Sequence, residues 1–217
     1  MTDRFSALQN RLQKTLPMAS IVETELPELP QVRLGLINDD FPTGPLPEDV
    51  MRAVIAQPAY WAFCWGSGLA LAKFLLEQPD WVSGKSVVDL GSGSGVAAIA
   101  AAMAGAAQVS ACDTDADARL ASEINAAVNQ VEITVAEQLP EHCDVLLMAD
   151  VLYDKQNLPL LGLAQRHADT VLVADSRVTT LPDPAYREID SIKSLTFPNL
   201  GEFDEFNTAH VFAWHSR

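Results

Sequence analysis

The chain has 217 residues, 48% of them hydrophobic and 20% charged, which is enough for one well-cored domain and cramped for two. Fourteen Lys and Arg against 29 Asp and Glu leave a formal net charge of -15, which repels a phosphate backbone and argues against nucleic acid as the main partner. Such a surface suits solubility and equally suits a basic protein substrate.

From the N-terminus, Phe5, Leu8, Leu12 and Leu16 recur at helical spacing, and Pro17 marks the stop. Pro27, Pro30, Pro42, Pro45 and Pro47 then punctuate a connector with one strand-like run, Gln31 to Ile37, so residues 1 to about 55 read as an arm or lid on a core spanning 56 to 217. Gly68 to Glu77 predicts a helix burying Leu69, Ala72, Leu75 and Leu76, with Pro79 beyond its end. Strands and helices alternate from there. Strands are expected at Ser86 to Leu90, Gln108 to Asp113, Val131 to Ala136, Asp144 to Ala149 and Thr170 to Asp175. Most are continuous apolar runs, the pattern of strands covered by helices on both faces, so the fold class is α/β with a doubly wound, mostly parallel sheet. Leu120, Ile124 and Val128 form a core stripe on the helix between the second and third of these strands. Tyr186 to Thr196 and Thr208 to Trp214 read as two strands joined without a helix, an antiparallel C-terminal edge. The whole is one domain.

Cys64, Cys112 and Cys143 are odd in number, far apart and in apolar surroundings, as expected of reduced core thiols. His142, His167, His210 and His215 stand at no ligand interval, so no metal is expected. No apolar run approaches the ~20 residues of a membrane span, and the start lacks the apolar core of a signal peptide. No membrane partner and a cytoplasmic location are expected.

The chemistry points to Val87-Val88-Asp89-Leu90-Gly91-Ser92-Gly93-Ser94-Gly95, a strand that breaks into three alternating glycines before an alanine-rich helix. Glycines admit positive φ and let a ligand approach the main chain, and the C-terminal edge of a parallel strand is where open α/β sheets bind ligands. Asp113 ends the next strand, where a carboxylate can accept both ribose hydroxyls of an adenosine-containing cofactor; Asp115 is the alternative, or a helix N-cap. Nicotinamide dinucleotides and S-adenosylmethionine both remain open, although the dinucleotide fingerprint sets its third glycine three residues after the second. At the end of the fourth strand, Met148-Ala149-Asp150-Val151-Leu152-Tyr153-Asp154 sets a carboxylate and a phenol where an acceptor should meet that cofactor.

The run Asp89 to Gly95 resembles motif I of class I, seven-strand S-adenosylmethionine-dependent methyltransferases, and Asp150-x-x-Tyr153 resembles the Asp/Glu-x-x-Tyr/Phe motif of the protein lysine methyltransferases called family 16. Pro58 to Gly68, with Tyr60, Trp61 and Trp65, and Gly84 to Gly93 are most similar to the electron transfer flavoprotein β-subunit type within that family and its bacterial relatives. The resemblance covers residues 30 to 180. It implies a Rossmann-like, seven-stranded methyltransferase fold with an antiparallel edge hairpin and S-adenosylmethionine as cofactor. It implies that Trp65, Gly68, Asp89, Gly91, Ser92, Gly93, Gly95, Asp113 and Ala149 border that cofactor, with Asp89 facing its ammonium. It also implies that Asp150 and Tyr153 hold the lysine of a protein substrate, one like the electron transfer flavoprotein β subunit. Asp150→Ala should then abolish transfer and spare cofactor binding. A lysine amine of pKa ~10.4 must first lose its proton, and an ordinary carboxylate of pKa ~3.9 is a weak base for that, so Asp150 is expected to capture and aim. Three classes stay open: protein lysine methyltransferase; small-molecule N-methyltransferase acting on an amine or nicotinamide-like ring, favoured by a lidded pocket; and a non-catalytic nucleotide-binding module or NAD-dependent oxidoreductase.

Overall fold

Residues such as Val87, Val109, Val145, Leu147 and Leu172 point to one side of a central sheet, and Val88, Cys112, Leu146, Met148 and Val171 to the other; all are buried. That alternation leaves no polar face, so helices must cover both. The computed structural model describes residues 4–41, 44–201 and 207–216, and Pro42 lies outside the described residues. The strands are β3 (Ser86–Leu90), β4 (Gln108–Cys112), β5 (Thr134–Ala136), β6 (Cys143–Ala149), β7 (Ala168–Asp175), β8 (Arg187–Lys193) and β9 (Thr208–His215). They form a seven-stranded sheet in the order β5-β4-β3-β6-β7-β9-β8. β3 to β7 pair in parallel, and β9 runs antiparallel between β7 and β8, which is the expected edge hairpin. Helices α3 (Gly66–Glu77) and α4 (Val96–Met103) pack on one face, and α6 (Pro159–His167) on the other.

Several expectations shift. β5 begins at Thr134 rather than Val131, and α3 begins at Gly66, two residues early. The strand-like run Gln31 to Ile37 is β2 (Leu29–Ile37), and the connector holds two further elements that proline punctuation hid: β1 (Ile21–Leu26), which pairs with β2 as a hairpin, and helix α2 (Glu48–Ala56), which starts just after Pro47. The first helix, α1, spans Ser6–Leu12 and buries Leu8 and Leu12. Leu26, Leu29, Val32, Leu34 and Leu36 of the hairpin are buried with Leu69, Val96, Ile99 and Ala126 of the helices.

Helix α5 (Ala116–Val128) carries the tie between hairpin and core. Its inner line is Ala118, Ala121, Ser122, Asn125, Ala126 and Val128, while Leu120 and Ile124 are only partly buried, so the expected apolar stripe is rotated. Two buried polar residues on this line, Ser122 and Asn125, explain the rotation. Asn125 accepts a hydrogen bond from Gly35 N–H at 2.7 Å and donates to Ser94 C=O at 2.9 Å, joining β2 to the glycine loop. Asn129, one turn on, accepts from Arg33 N–H at 2.9 Å and extends the clamp.

Asn125→Ala leaves a buried N–H and a buried C=O without partners, each costing about 1–3 kcal/mol. We expect urea unfolding to report a loss of about 2–4 kcal/mol; a loss below about 0.5 kcal/mol would show that the clamp carries no stability.

Candidate active site

β3 ends in a loop in which Gly91, Gly93 and Gly95 all adopt positive φ. At Gly95 (φ +82°) an added Cβ would lie 2.9 Å from Ser122 Cα, and at Gly91 (φ +77°) 2.9 Å from Val151 Cγ2, so both positions need glycine for conformation and for space. Ser92 Oγ lies 3.1 Å from Ser122 Oγ, which fastens the loop to α5 beside Asn125. Asp89, 2% exposed, accepts from Ala98 N–H at 3.1 Å. Burial pushes its carboxyl up to about 7, against the lowering effect of that bond and with the Asp113 charge adding to the rise. Asp113, just beyond β4, accepts from Gly93 N–H at 3.0 Å and Asp115 N–H at 2.9 Å. Asp115 caps α5 through Asp117 N–H at 2.8 Å, the capping role weighed for it from sequence.

Asp150 follows β6 in the left-handed region (φ +53°), rare for a residue with a side chain. Its Oδ2 accepts from Ser67 N–H at 2.9 Å and Gly68 N–H at 3.3 Å, and its Oδ1 from Ser67 Oγ at 2.5 Å. The carboxylate thus caps the N-terminus of α3, which has no side-chain cap of its own. Asp150 thereby also fixes the backbone of Gly68, which the resemblance places beside the cofactor. Burial raises its pKa to about 6, partly offset by Ser67, with the Asp175 charge adding to the rise. It is therefore a stronger proton acceptor than an ordinary carboxylate. Asp175 ends β7, is 1% exposed, and has its pKa raised chiefly by burial. One of its oxygens accepts from Arg177 and Val178 N–H at 2.8 and 3.1 Å, and the backbone of Leu152 adds a weaker lowering influence on its pKa.

Trp65, Gly68, Asp89, Gly91, Ser92, Gly93, Ala149 and Asp150 line one cleft at the C-terminal ends of β3 and β6, together with Ser94, Val96 and Ala97. Gly95 and Asp113 adjoin this lining, Gly95 packed on Ser122 and Asp113 bonded to Gly93 N–H. The cleft measures about 30 Å³, whereas a larger one of about 870 Å³ lies over β4, β5 and the end of α5. The larger cleft contains only residues outside the glycine loop and the Asp150 turn. At the opposite end of the sheet His142, Asp144 and Asp169 bring ligand-type atoms within 4.8 Å of one another, a grouping that sequence spacing did not reveal.

Aromatic rings rim the cleft mouth. A short 3-10 turn, Tyr60–Ala62, sends Trp61 into the core (3% exposed) and Tyr60 outward (49% exposed). Tyr60 meets Trp65 at 5.8 Å between centroids and Tyr153 at 6.1 Å, and Trp65 also meets Phe63 at 5.6 Å. The Trp65 Nε1–H donates to Tyr60 C=O at 2.8 Å. Tyr153 is 51% exposed, and its hydroxyl pKa is raised by partial burial first, then by Tyr60 and Asp154, while Arg177 opposes the rise. Asp154 caps the following turn through Gln156 N–H at 2.9 Å. Sequence reasoning missed Tyr60, Ser67, Ser122 and Asn125 as site builders. A signal existed for the last two, polar residues three apart on the buried face of α5.

This strand order, with a glycine loop after the first parallel strand, defines a seven-strand methyltransferase fold. The ribosomal protein L11 methylase of Lactobacillus delbrueckii subsp. bulgaricus shares it, with a TM-score of 0.53 and 20% identity over 69% of this chain and 79% of that one. A family model for ribosomal protein L11 methyltransferase (PrmA) matches residues 70–157. The electron transfer flavoprotein beta subunit lysine methyltransferase of Xenopus laevis is 30% identical over 168 residues, 71% of this chain and 68% of its own length. The human protein of that name is 41% identical over 104 residues, 44% of this chain and 39% of its own length. The chain belongs to the electron transfer flavoprotein beta subunit lysine methyltransferase family, although the match spans about two fifths of the human relative.

Asp89 titrates near 7 in the fold and near 3.8 unfolded, so between those values the native state holds a proton that the unfolded chain has released. Its contribution to stability is full below about pH 4 and is lost as pH rises through 7. In Asp89→Asn the amide oxygen still accepts from Ala98. We expect wild type to lose about 4 kcal/mol relative to this variant between pH 4 and 8, read by urea unfolding. A pH-independent difference would count against a buried, protonated Asp89.

Proposed function

We propose that this protein transfers methyl groups from S-adenosylmethionine to a lysine side chain of a protein substrate, with the electron transfer flavoprotein β subunit as the candidate named by its family. The observation that carries this reading is a single cleft bounded on one side by the glycine loop and on the other by Asp150.

The residues fit the cofactor. An added Cβ on Gly93 would meet nothing within 4 Å, so that backbone faces open space beside the carboxylate of Asp89. No Lys or Arg lines the cleft among the described residues, which suits a ligand bearing an ammonium and no pyrophosphate. Asp89 would hold the ammonium, and Asp113 the ribose hydroxyls with its remaining lone pairs. When bound, S-adenosylmethionine supplies an electrophilic methyl: the amine lone pair forms the N–C bond while the C–S bond breaks and its electrons stay on sulfur.

A lysine entering this cleft arrives as an ammonium. Asp150, ionised above about pH 6, holds and aims it at the rim formed with Tyr153, and the proton leaves to water as partial burial lowers the lysine pKa. The open, half-exposed rim supports a side chain presented by a protein rather than a small molecule sealed beneath a lid.

Incubation with radiolabelled S-adenosylmethionine and recombinant electron transfer flavoprotein β subunit, followed by mass spectrometry, should locate methyl groups on lysine. Asp150→Asn keeps an oxygen for the α3 N–H groups and loses the charge, so S-adenosylhomocysteine binding should persist in calorimetry while kcat/KM for lysine falls by about tenfold or more. Asp150→Ala should weaken both. Label found only in small molecules, or unchanged kcat/KM in Asp150→Asn, would overturn the assignment.

A further inference from the structure

We propose that Tyr60, with Trp65 and Tyr153, forms a cation-binding aromatic rim that grips the acceptor amine more firmly the more methyl groups it carries. The proposal rests on the lysine reading above and adds a specificity-determining residue, Tyr60, together with a consequence: methylated intermediates stay at the site for further transfer.

Three observations support it. Tyr60 and Tyr153 leave about half their surface in water, 49% and 51%, although Tyr60 touches both Tyr153 and Trp65, and Trp65 lines the cleft itself. The buried neighbour Trp61 already anchors the turn in the core, so packing does not require a second ring at position 60. The ring planes meet steeply, 67° for Tyr60 with Trp65 and 61° for Tyr60 with Tyr153, so the rings meet edge-on instead of stacking flat. Edge contacts of this kind leave faces free for a cation.

The chemistry supplies the grading. Each methyl group replaces an N–H, so the cation loses hydrogen bonds to water and to Asp150 while keeping its full charge. A carboxylate that recognises N–H groups therefore holds a methylated amine less well. Ring faces attract the charge regardless of N–H count and gain contact with the added methyls. The aromatic rim and Asp150 thus divide the work, one for the late methylation states and the other for the first. Because Trp65 donates to the backbone carbonyl of Tyr60, replacement of the Tyr60 side chain leaves that tie in place.

The test is an NMR titration of the protein with S-adenosylhomocysteine present, using Nα-acetyl-lysine amides with no, one, two or three Nε-methyl groups and an uncharged tert-butyl isostere of the trimethyl form. Affinity should rise about tenfold from the unmethylated to the trimethylated amide, with the isostere weaker than the trimethyl cation. Tyr60→Phe should preserve the order and Tyr60→Ala should flatten it. A flat or undetectable series in wild type, an isostere that binds as tightly as the cation, or an unchanged series in Tyr60→Ala overturns the rim. Graded binding without any transfer to protein lysine would sink the proposed reaction and leave the rim standing, so the two failures are distinguishable.

Discussion

The capture of the α3 N-terminus by Asp150 is the interaction on which the site depends. The first N–H groups of a helix have no partner within it, and α3 begins with Gly66-Ser67-Gly68, of which only Ser67 has a side chain. The partner comes from 83 residues further along, at the end of β6. Fastening α3 there sets Gly68 against the glycine loop and carries the preceding turn, with Tyr60 and Trp65, over the C-terminal edge of the sheet. Burial of the carboxylate is unfavourable, as its raised pKa records, and three hydrogen bonds with the positive end of the helix dipole oppose that cost. Asp150 is itself left-handed although not glycine, and the charge of a second buried acid, Asp175, acts on it. Strain and buried charge of this kind persist where the surrounding fold over-determines the position.

A neutral clamp complements this charged one. Asn125 and Ser122 on α5 reach the glycine loop, and Asn125 with Asn129 reaches β2. The loop that binds the cofactor in the proposed reaction is thereby coupled to the N-terminal hairpin, whose apolar side is sealed against α3, α4 and α5. Residues before the central sheet therefore serve as a brace for the loop from behind. This explains why a segment that reads as an arm buries so much of its length.

Features set by local periodicity were legible in the sequence, and those set by distant contact were not. β3, β6 and β7 announce themselves because both faces are covered and the runs are unbroken; the glycine loop announces itself because three positive-φ positions in five residues have few other uses. β1, Ile-Val-Glu-Thr-Glu-Leu, buries only Ile21 and Leu26, so its alternation is blurred, and α2 buries none of its residues fully. Leu120 and Ile124 misled because apolar spacing was read without the two polar residues that define the true inner face. Asp150 stood out in the sequence as a candidate through its motif and its position at a strand end. Its partner, an N-terminus in another part of the chain, did not, because capping arguments look to neighbouring residues.

The electrostatics of the cleft give these carboxylates a common logic. Burial raises Asp89 and Asp150 first, and a neighbouring acid adds to each rise, Asp113 on the loop side and Asp175 on the acceptor side. Without a cation the cleft favours protonated acids, which is the origin of the values near 7 and 6. A cofactor ammonium beside Asp89 and a lysine ammonium beside Asp150 would each favour ionisation of its carboxylate, so binding expels protons and grows tighter as pH rises through those values. The same cations relieve the repulsion within each pair. The cleft thereby sets Asp89 and Asp150 where two positive ligands would meet in the proposed reaction, and the exposed rings at the mouth give the second cation a surface that does not depend on its N–H groups.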